Sequence, residues 1–259
     1  MALAAATQTP ATANAFTKYE DAPALDHPFF VTIKNSKGGY CSGAFTSETR
    51  ITTAAHCITK GGKVDNGPYT VYLGAEKENS EKKTFKESEL NVFKVDGAED
   101  VGVISFKKEK PFANKKSHLE VSEKAFPDRA VMDLYGSGDI PKDKRTGTVH
   151  RMKVVAKISK PKDPKDPKEE GIKAIAVGAH YKIKEKDVDQ SGGAACSGDS
   201  GGPMTMTDDG KLKLYGVIST STAAGKDKCN TTPNLNAVTS LGTVYQVRDK
   251  LSVNDPPQK

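Results

Sequence analysis

The chain has no tryptophan and only four cysteines among its 259 residues. No apolar run approaches the roughly 20 residues that a membrane-spanning helix needs. No C-x-x-C pair is present, so the sequence gives little support for a zinc site. Lysine and arginine outnumber the acids by 39 to 33, but acidic residues are interleaved with them and no dense arginine-aromatic patch appears. These absences argue against a membrane protein, a zinc protein and a nucleic-acid-binding protein.

The cysteines fall into two sequence-local pairs, Cys41 with Cys57 and Cys196 with Cys229. An even number of cysteines in such pairs favours two disulfides and an oxidising compartment. Buried free thiols in a cytosolic protein are the alternative. The pairing therefore predicts a secreted protein.

The first 15 residues, MALAAATQTPATANA, are small and polar. They lack the positive start and continuous apolar segment of a secretory signal. Ala13-Asn14-Ala15 nevertheless has the small-x-small form of a signal-peptidase site. We expect residues 1–15 to be a disordered extension, the remnant of a signal or propeptide.

Short alternating or β-branched runs separated by turn residues predict an antiparallel barrel or sandwich. These runs are residues 27–33, 69–73, 90–95, 101–106, 147–158, 172–183 and 213–220. Only residues 243–253 have helical periodicity, with Val244, Val247 and Leu251 on one face. The Pro-Lys tract 159–171 predicts an exposed loop. The lysine-rich stretch 74–89 predicts a solvated loop rather than a calcium site.

Three separate motifs supply the parts of a nucleophilic site. His56 lies in TAAHC, between two alanines and a cysteine. Asp100 begins the apolar run DVGVISF, so its carboxylate should be partly buried. A buried carboxylate is costly unless it is paired, and a histidine partner would relieve that cost. Ser200 lies in AACSGDSGGP. Because a serine hydroxyl is a weak nucleophile until an oriented base takes its proton, this set predicts a catalytic base, acid and nucleophile.

The run AACSGDSGGP consists largely of ordinary turn residues, and a simple turn is its alternative reading. Gly198 has no Cβ and so can adopt an unusual backbone conformation. Its N–H and that of Ser200 could then point together at a developing oxyanion. We therefore expect an oxyanion hole formed by Gly198 and Ser200.

The order of TAAHC, an acid heading an apolar strand, and GDSGGP resembles the trypsin/chymotrypsin family of serine proteases. CSGAF (41–45), YGSG (135–138) and VIST (217–220) resemble other short motifs of that family, and the resemblance covers about residues 16–253. It implies an all-β fold of two packed six-stranded antiparallel barrels with a C-terminal helix. The triad would lie in the cleft between the barrels, with no cofactor and no metal.

The resemblance also implies residues that bind substrate. Ser219 would support the acid, and Ala194, six residues before the nucleophile, would line the base of the primary pocket. Ser221 would line its wall. Because Ala194 carries no charge, a buried substrate cation would be unpaired, so cleavage after uncharged, apolar residues is expected.

A family-type activation step is implied for Asp199, which neighbours the nucleophile but is outside the triad. In the family a newly freed α-amino group pairs with this acid and sets the Gly198 loop. The matching terminus here is Phe16, with Lys18 as an alternative partner. The sequence departs from the family pattern at this point, because FTKY does not match the usual Ile-Val-Gly-Gly start.

Together these features predict a barrel over residues 16–125 and a second barrel with a closing helix over residues 126–259. The predicted function is a secreted, monomeric serine endopeptidase that acts on protein or peptide substrates through an acyl-enzyme, with no nucleic-acid or membrane partner. The alternative is a non-catalytic protease homologue that acts as a secreted binding or inhibitory protein.

Overall fold

The computed structural model describes residues 20–22, 26–75, 81–98, 100–108, 111–112, 117–127, 130–138, 149–159, 173–178, 195–221, 238–244 and 247–252. The predicted extension 1–15, the Pro-Lys loop from residue 160 onward, Ala194 and Cys229 lie outside these residues.

The described elements are almost all short strands, as the sequence predicts. In the first half they are β1 (Glu20–Ala22), β2 (Phe30–Lys34), β3 (Tyr40–Phe45), β4 (Arg50–Ala54), β5 (Thr59–Lys60), β6 (Lys63–Val64), β7 (Tyr69–Leu73), β8 (Lys82–Phe85), β9 (Leu90–Lys94) and β10 (Val101–Phe106). In the second half they are β11 (Glu120–Val121), β12 (Ala130–Gly136), β13 (Val149–Ser159), β14 (Lys173–Gly178), β15 (Pro203–Asp208), β16 (Lys211–Ser221) and β17 (Val238–Thr243), followed by the helix α1 (Arg248–Ser252).

The first sheet is a curled half-barrel of seven described strands in the order β8-β7-β2-β3-β4-β10-β9. The central strands β2, β3 and β4 are buried along nearly their whole length, and the core of the sheet includes Ile33, Ile51, Val71 and Ile104. β10 is buried along its whole length. One face of the sheet therefore packs inward while β10 also faces the second half of the molecule.

The second sheet closes into a barrel of six strands, in the order β13-β12-β15-β16-β17-β14, because β14 pairs with both β17 and β13. Its interior includes Met132, Leu134, Met152 and Met204. The two sheets together confirm the predicted all-β double barrel, although the first sheet has seven described strands where six were predicted.

A third hydrophobic cluster joins the two barrels. Phe30 and Val103 of the first sheet lie in one buried cluster with Tyr135 and Val217 of the second. Two short strands also cross the division expected near residue 125, since β1 pairs with β13 and β11 pairs with β16. The domain bounds at 16–125 and 126–259 stay a prediction.

The C-terminal helix differs in length from its prediction. The helix is Arg248–Ser252, whereas the apolar periodicity predicts residues 243–253. Val244, Val247 and Leu251 are all buried, as expected, but Val244 lies before the helix begins. Periodicity thus marks the buried side chains correctly and overestimates the extent of helical backbone.

One part of the predicted solvated loop 74–89 is a strand. Residues 82–85 form β8, which pairs with β7 in the register Thr70↔Thr84. Two of its four residues are lysines, which disguises the alternation: Lys82 and Thr84 are exposed, while Phe85 points into the core. Among the described residues, no helix is long and apolar enough to cross a membrane.

Candidate active site

His56 lies on a single turn of 3-10 helix, Ala55–Ile58, that follows β4. Ala55, Cys57 and Ile58 are buried in this turn, which leaves His56 as its exposed member. The Cys41–Cys57 disulfide ties the turn to β3, as predicted. Ile58 packs against β10 where Gly102 has no side chain; a Cβ there would lie 2.5 Å from Ile58 Cδ1. The turn is therefore fixed on both sides of the imidazole.

Asp100 is brought to His56 by the pairing of β4 with β10. Val101 is opposite Ala54 in this register, and the Ala55 N–H donates to the Asp100 carbonyl. The carboxylate then accepts the His56 backbone N–H at 2.9 Å, and its other oxygen lies 2.8 Å from His56 Nδ1. Asp100 has a φ of 51°, a left-handed conformation that aspartate tolerates better than most residues. The predicted acid and base are thus in direct contact.

Ser219 completes the surroundings of this carboxylate from the other barrel. It lies on β16, and its hydroxyl donates to Asp100 Oδ2 at 2.5 Å. Burial by itself would raise the pKa of Asp100, but the hydrogen bonds from His56 and Ser219 outweigh it and lower the pKa. Asp100 is therefore held as an ionised acceptor between the two barrels.

Ser219→Ala should reduce the free energy of unfolding by roughly 1.5–3 kcal/mol at pH 7, because a hydrogen bond to a charged carboxylate is lost. Because the pKa of Asp100 is lower in the folded chain than in the unfolded chain, its hydrogen bonds add stability at pH values above the usual carboxyl range. This stability is lost as the pH falls through the folded-state pKa of Asp100. The difference from the parent chain should therefore shrink at acid pH. Urea unfolding at several pH values measures it.

Ser88→Ala is the control for this substitution, because Ser88 is exposed in the 3-10 turn Glu87–Glu89 between β8 and β9. It should change stability little and with no pH trend. A difference between Ser219→Ala and the parent chain that stays constant from pH 7 to pH 3 would contradict the assigned bond.

The loop that carries Ser200 is bonded both to the first barrel, through β3, and to β16 of the second. The Ser200 carbonyl accepts the Ser42 N–H at 2.8 Å, and the Gly201 N–H donates to the Ile218 carbonyl at 2.7 Å. Gly201 has a φ of 82° and leaves no room for a Cβ against Thr53 and the Ala54 N–H, which lie at the end of β4. Ser200 is partly buried and directly precedes Gly201, which contacts the end of β4. β4 leads into the turn that carries His56.

The turn before Ser200 closes around Asp199. This side chain is fully buried and accepts the backbone N–H groups of Gly138 and Cys196, at 2.9 and 2.8 Å. Burial raises the pKa of Asp199 well above its ordinary value. Within the described part of the chain no cation pairs with it, and its proposed partners Phe16 and Lys18 lie outside that part.

Gly198 adopts the unusual conformation expected of it, with a φ of 89°. Among the described residues, neither the Gly198 N–H nor the Ser200 N–H donates a backbone hydrogen bond to the protein. Both residues are instead held through their carbonyls by Ser42, whose hydroxyl donates to the Gly198 carbonyl at 2.9 Å. The sequence does not reveal this role of Ser42, although Ser42 lies in CSGAF, one of the short motifs that resemble the family.

The remaining predicted residues are placed only in part. Cys196 is in a disulfide, as expected, and its predicted partner Cys229 lies outside the described residues. Ser221 ends β16, two residues beyond Ser219 on the strand that leaves the site. Ala194 also lies outside the described residues, directly before the buried Ala195.

One cluster of possible metal ligands occurs in the described part of the chain: Cys41, His56 and Cys57. The two sulfur atoms are joined to each other in the disulfide, and His56 Nδ1 is engaged by Asp100. This cluster is therefore part of the His56 turn rather than a metal site.

Two packed β-barrels with a histidine–aspartate pair between them define the chymotrypsin-like class of proteins. In a comparison with protein-family models, the Trypsin family model matches residues 17–242. The chain belongs to the trypsin family, whose members are serine proteases that act on protein substrates. The resemblance inferred from short motifs is thus confirmed.

Proposed function

We propose that the chain is an active serine endopeptidase with Ser200 as nucleophile, His56 as general base and Asp100 as the acid that orients it. The contact between His56 Nδ1 and Asp100 is the observation that carries this proposal. With Nδ1 bound to the carboxylate, Nε2 is the ring nitrogen that remains to take a proton. The docking of Gly201 on the end of β4 supports placing Ser200 within reach of it.

The proposed reaction proceeds in two steps through an acyl-enzyme. His56 takes the hydroxyl proton as Ser200 Oγ attacks the scissile carbonyl, and the tetrahedral oxyanion accepts the N–H groups of Gly198 and Ser200. The protonated His56 gives that proton to the leaving amine as the peptide C–N bond breaks. Water then attacks the ester with His56 again as base, which releases the acid product and restores Ser200.

A fluorophosphonate probe tests this assignment directly, because it reacts with an activated serine and not with an ordinary hydroxyl. We expect labelling of one residue, Ser200, located by peptide mass spectrometry, and none in Ser200→Ala. An intact, folded chain that takes up no probe at Ser200 would instead support the non-catalytic homologue acting as a binding or inhibitory protein.

We propose cleavage after uncharged, mainly apolar residues, because Ala194 and Ala195 supply no charge to the base of the primary pocket. In a peptide library, products should therefore end mainly in apolar residues. Ala194→Asp should shift the preference toward Lys and Arg, since the new carboxylate would pair with a substrate cation. A parent-chain profile dominated by cleavage after Lys or Arg would overturn this proposal.

The setting proposed for this reaction is extracellular, with the chain acting as a monomer. The Cys41–Cys57 disulfide and the disulfide-bonded state of Cys196 support an oxidising compartment. Proteins and peptides in that compartment are the proposed substrates.

A further inference from the structure

Ser42 is a fully buried residue on β3 that bonds the carbonyls of Gly198 and Ser200, the two residues whose N–H groups are the proposed oxyanion donors. Its hydroxyl donates to the Gly198 carbonyl at 2.9 Å, and its backbone N–H donates to the Ser200 carbonyl at 2.8 Å. Its own carbonyl accepts the Thr53 hydroxyl at 2.8 Å. One residue of the first barrel thus holds the nucleophile loop at two points and is itself tied to the end of β4.

The direction of the hydroxyl proton of Ser42 follows from its neighbours. Ser42 Oγ accepts the Ser137 N–H at 3.2 Å and lies 3.3 Å from the Ser137 hydroxyl, which lies 3.0 Å from the Thr32 hydroxyl. Thr32 in turn reaches the Gly74 carbonyl at 2.9 Å. The Gly74 and Gly198 carbonyls, at the two ends of this series of hydroxyl groups, can only accept hydrogen bonds. The hydroxyl proton of Ser42 is therefore the one that is donated to the Gly198 carbonyl.

This bond fixes a turn that is held on its other side by Asp199. The Asp199 N–H donates to the Cys196 carbonyl at 3.1 Å, and the Asp199 carboxylate accepts the Cys196 N–H at 2.8 Å. Between these anchors Gly198 keeps a φ of 89°, in a region where glycine has wide freedom. Without the Ser42 hydroxyl, the Gly198–Asp199 peptide group would keep only the bond from the Asp199 N–H to the Cys196 carbonyl, so its orientation would be less restricted.

We propose that Ser42 is a positioning residue for the oxyanion hole: its buried hydroxyl holds the Gly198–Asp199 peptide group and thereby restricts the turn that carries the Gly198 N–H. This inference rests on the proposed function. The Gly198 carbonyl belongs to the same peptide group as the Asp199 N–H, so Ser42 acts through backbone geometry and not by polarising the oxyanion donor. Because the oxyanion forms only after attack, the contribution falls on kcat rather than on KM.

Kinetics of the full chain test the proposal. Ser42→Ala should lower kcat about 10-fold with KM within twofold of the parent, because a misplaced donor weakens transition-state binding selectively. It should weaken binding of a peptide aldehyde, which forms an oxyanion on Ser200, by a similar factor. Binding of the matching peptide amide should not change.

Two more variants separate positioning from folding. Ser42→Gly also lacks the hydroxyl and replaces Ser42→Ala in this test if Ser42→Ala does not fold. Ser42→Thr keeps the hydroxyl and should recover most of the parent kcat. Ser122→Ala is the matched control, because Ser122 is equally buried and donates to the Lys124 carbonyl outside the site. It should lower Tm and leave kcat and aldehyde binding unchanged.

The outcomes for the two proposals are distinct. Loss of turnover and of aldehyde binding in Ser200→Ala, together with the selective fall in kcat for Ser42→Ala, supports both. If Ser200→Ala is inactive but Ser42→Ala or Ser42→Gly has the kcat of Ser122→Ala, the positioning role is wrong. Retained turnover in Ser200→Ala overturns the proposed function itself.

Discussion

Ser200→Ala should fold like the parent chain and lose kcat by roughly 10⁴- to 10⁶-fold, the range seen when a triad member is removed. The substitution deletes one partly buried hydroxyl and leaves the carbonyl of Ser200 to accept from Ser42, so the docking of the loop is retained. Turnover of a peptide substrate and far-UV circular dichroism measure the two effects separately.

His56→Ala should lose about as much activity, and the double variant little more, because the members of the triad act as a unit. Ser36→Ala is the control, since Ser36 lies in an exposed turn and bonds only Asp65 among the described side chains. It should keep parent activity. Substantial turnover in either triad variant would refute the assignment of base and nucleophile.

Removal of residues 1–15 should raise kcat by about 10-fold or more, because a free α-amino group at Phe16 would pair with Asp199. An unpaired buried carboxylate costs several kcal/mol, and Asp199 has only two backbone N–H partners within the described residues. An ion pair there would hold Asp199 ionised and fix the adjoining Gly198 turn. Turnover of the full chain and of the chain that begins at Phe16 should be compared after mass spectrometry of both termini.

Chains that begin at Ala15 or Thr17 provide the matched controls, because each displaces the α-amino group by one residue. Neither should reach the activity of the chain that begins at Phe16. Equal turnover of the full and trimmed chains would exclude the insertion mechanism, and loss of activity in Lys18→Met would then identify Lys18 as the partner.

The pH dependence of stability gives an independent measurement of the same group. A raised folded-state pKa means that the folded chain binds more protons than the unfolded chain above the usual carboxyl range near 3.9. The free energy of unfolding of the full chain should therefore fall as pH rises from about 4 toward the folded pKa of Asp199. Pairing with the α-amino group should make this fall smaller in the trimmed chain.

Several elements could be read from the sequence because their signals are local. The strands β7, β9 and β10 have their expected bounds to within a residue, since each is a short run with β-branched or aromatic residues between turn signals. β8 was missed because two of its four residues are lysines, so its sequence resembles that of a solvated loop. The helix was predicted too long because Val244 is buried without being helical.

The sequence by itself determined the family, the two-barrel fold and the candidates His56, Asp100 and Ser200. Each short motif alone is a weak signal, but their order and spacing along the chain together are strong. The resemblance already implied that Ser219 supports Asp100, a bond across 119 residues of sequence. Only the tertiary structure decided that Ser42 bonds Gly198 across 156 residues. Serine is compatible with any buried strand, so its type carries no sign of a distant partner. That partner is fixed by strand register and by the packing of one barrel against the other.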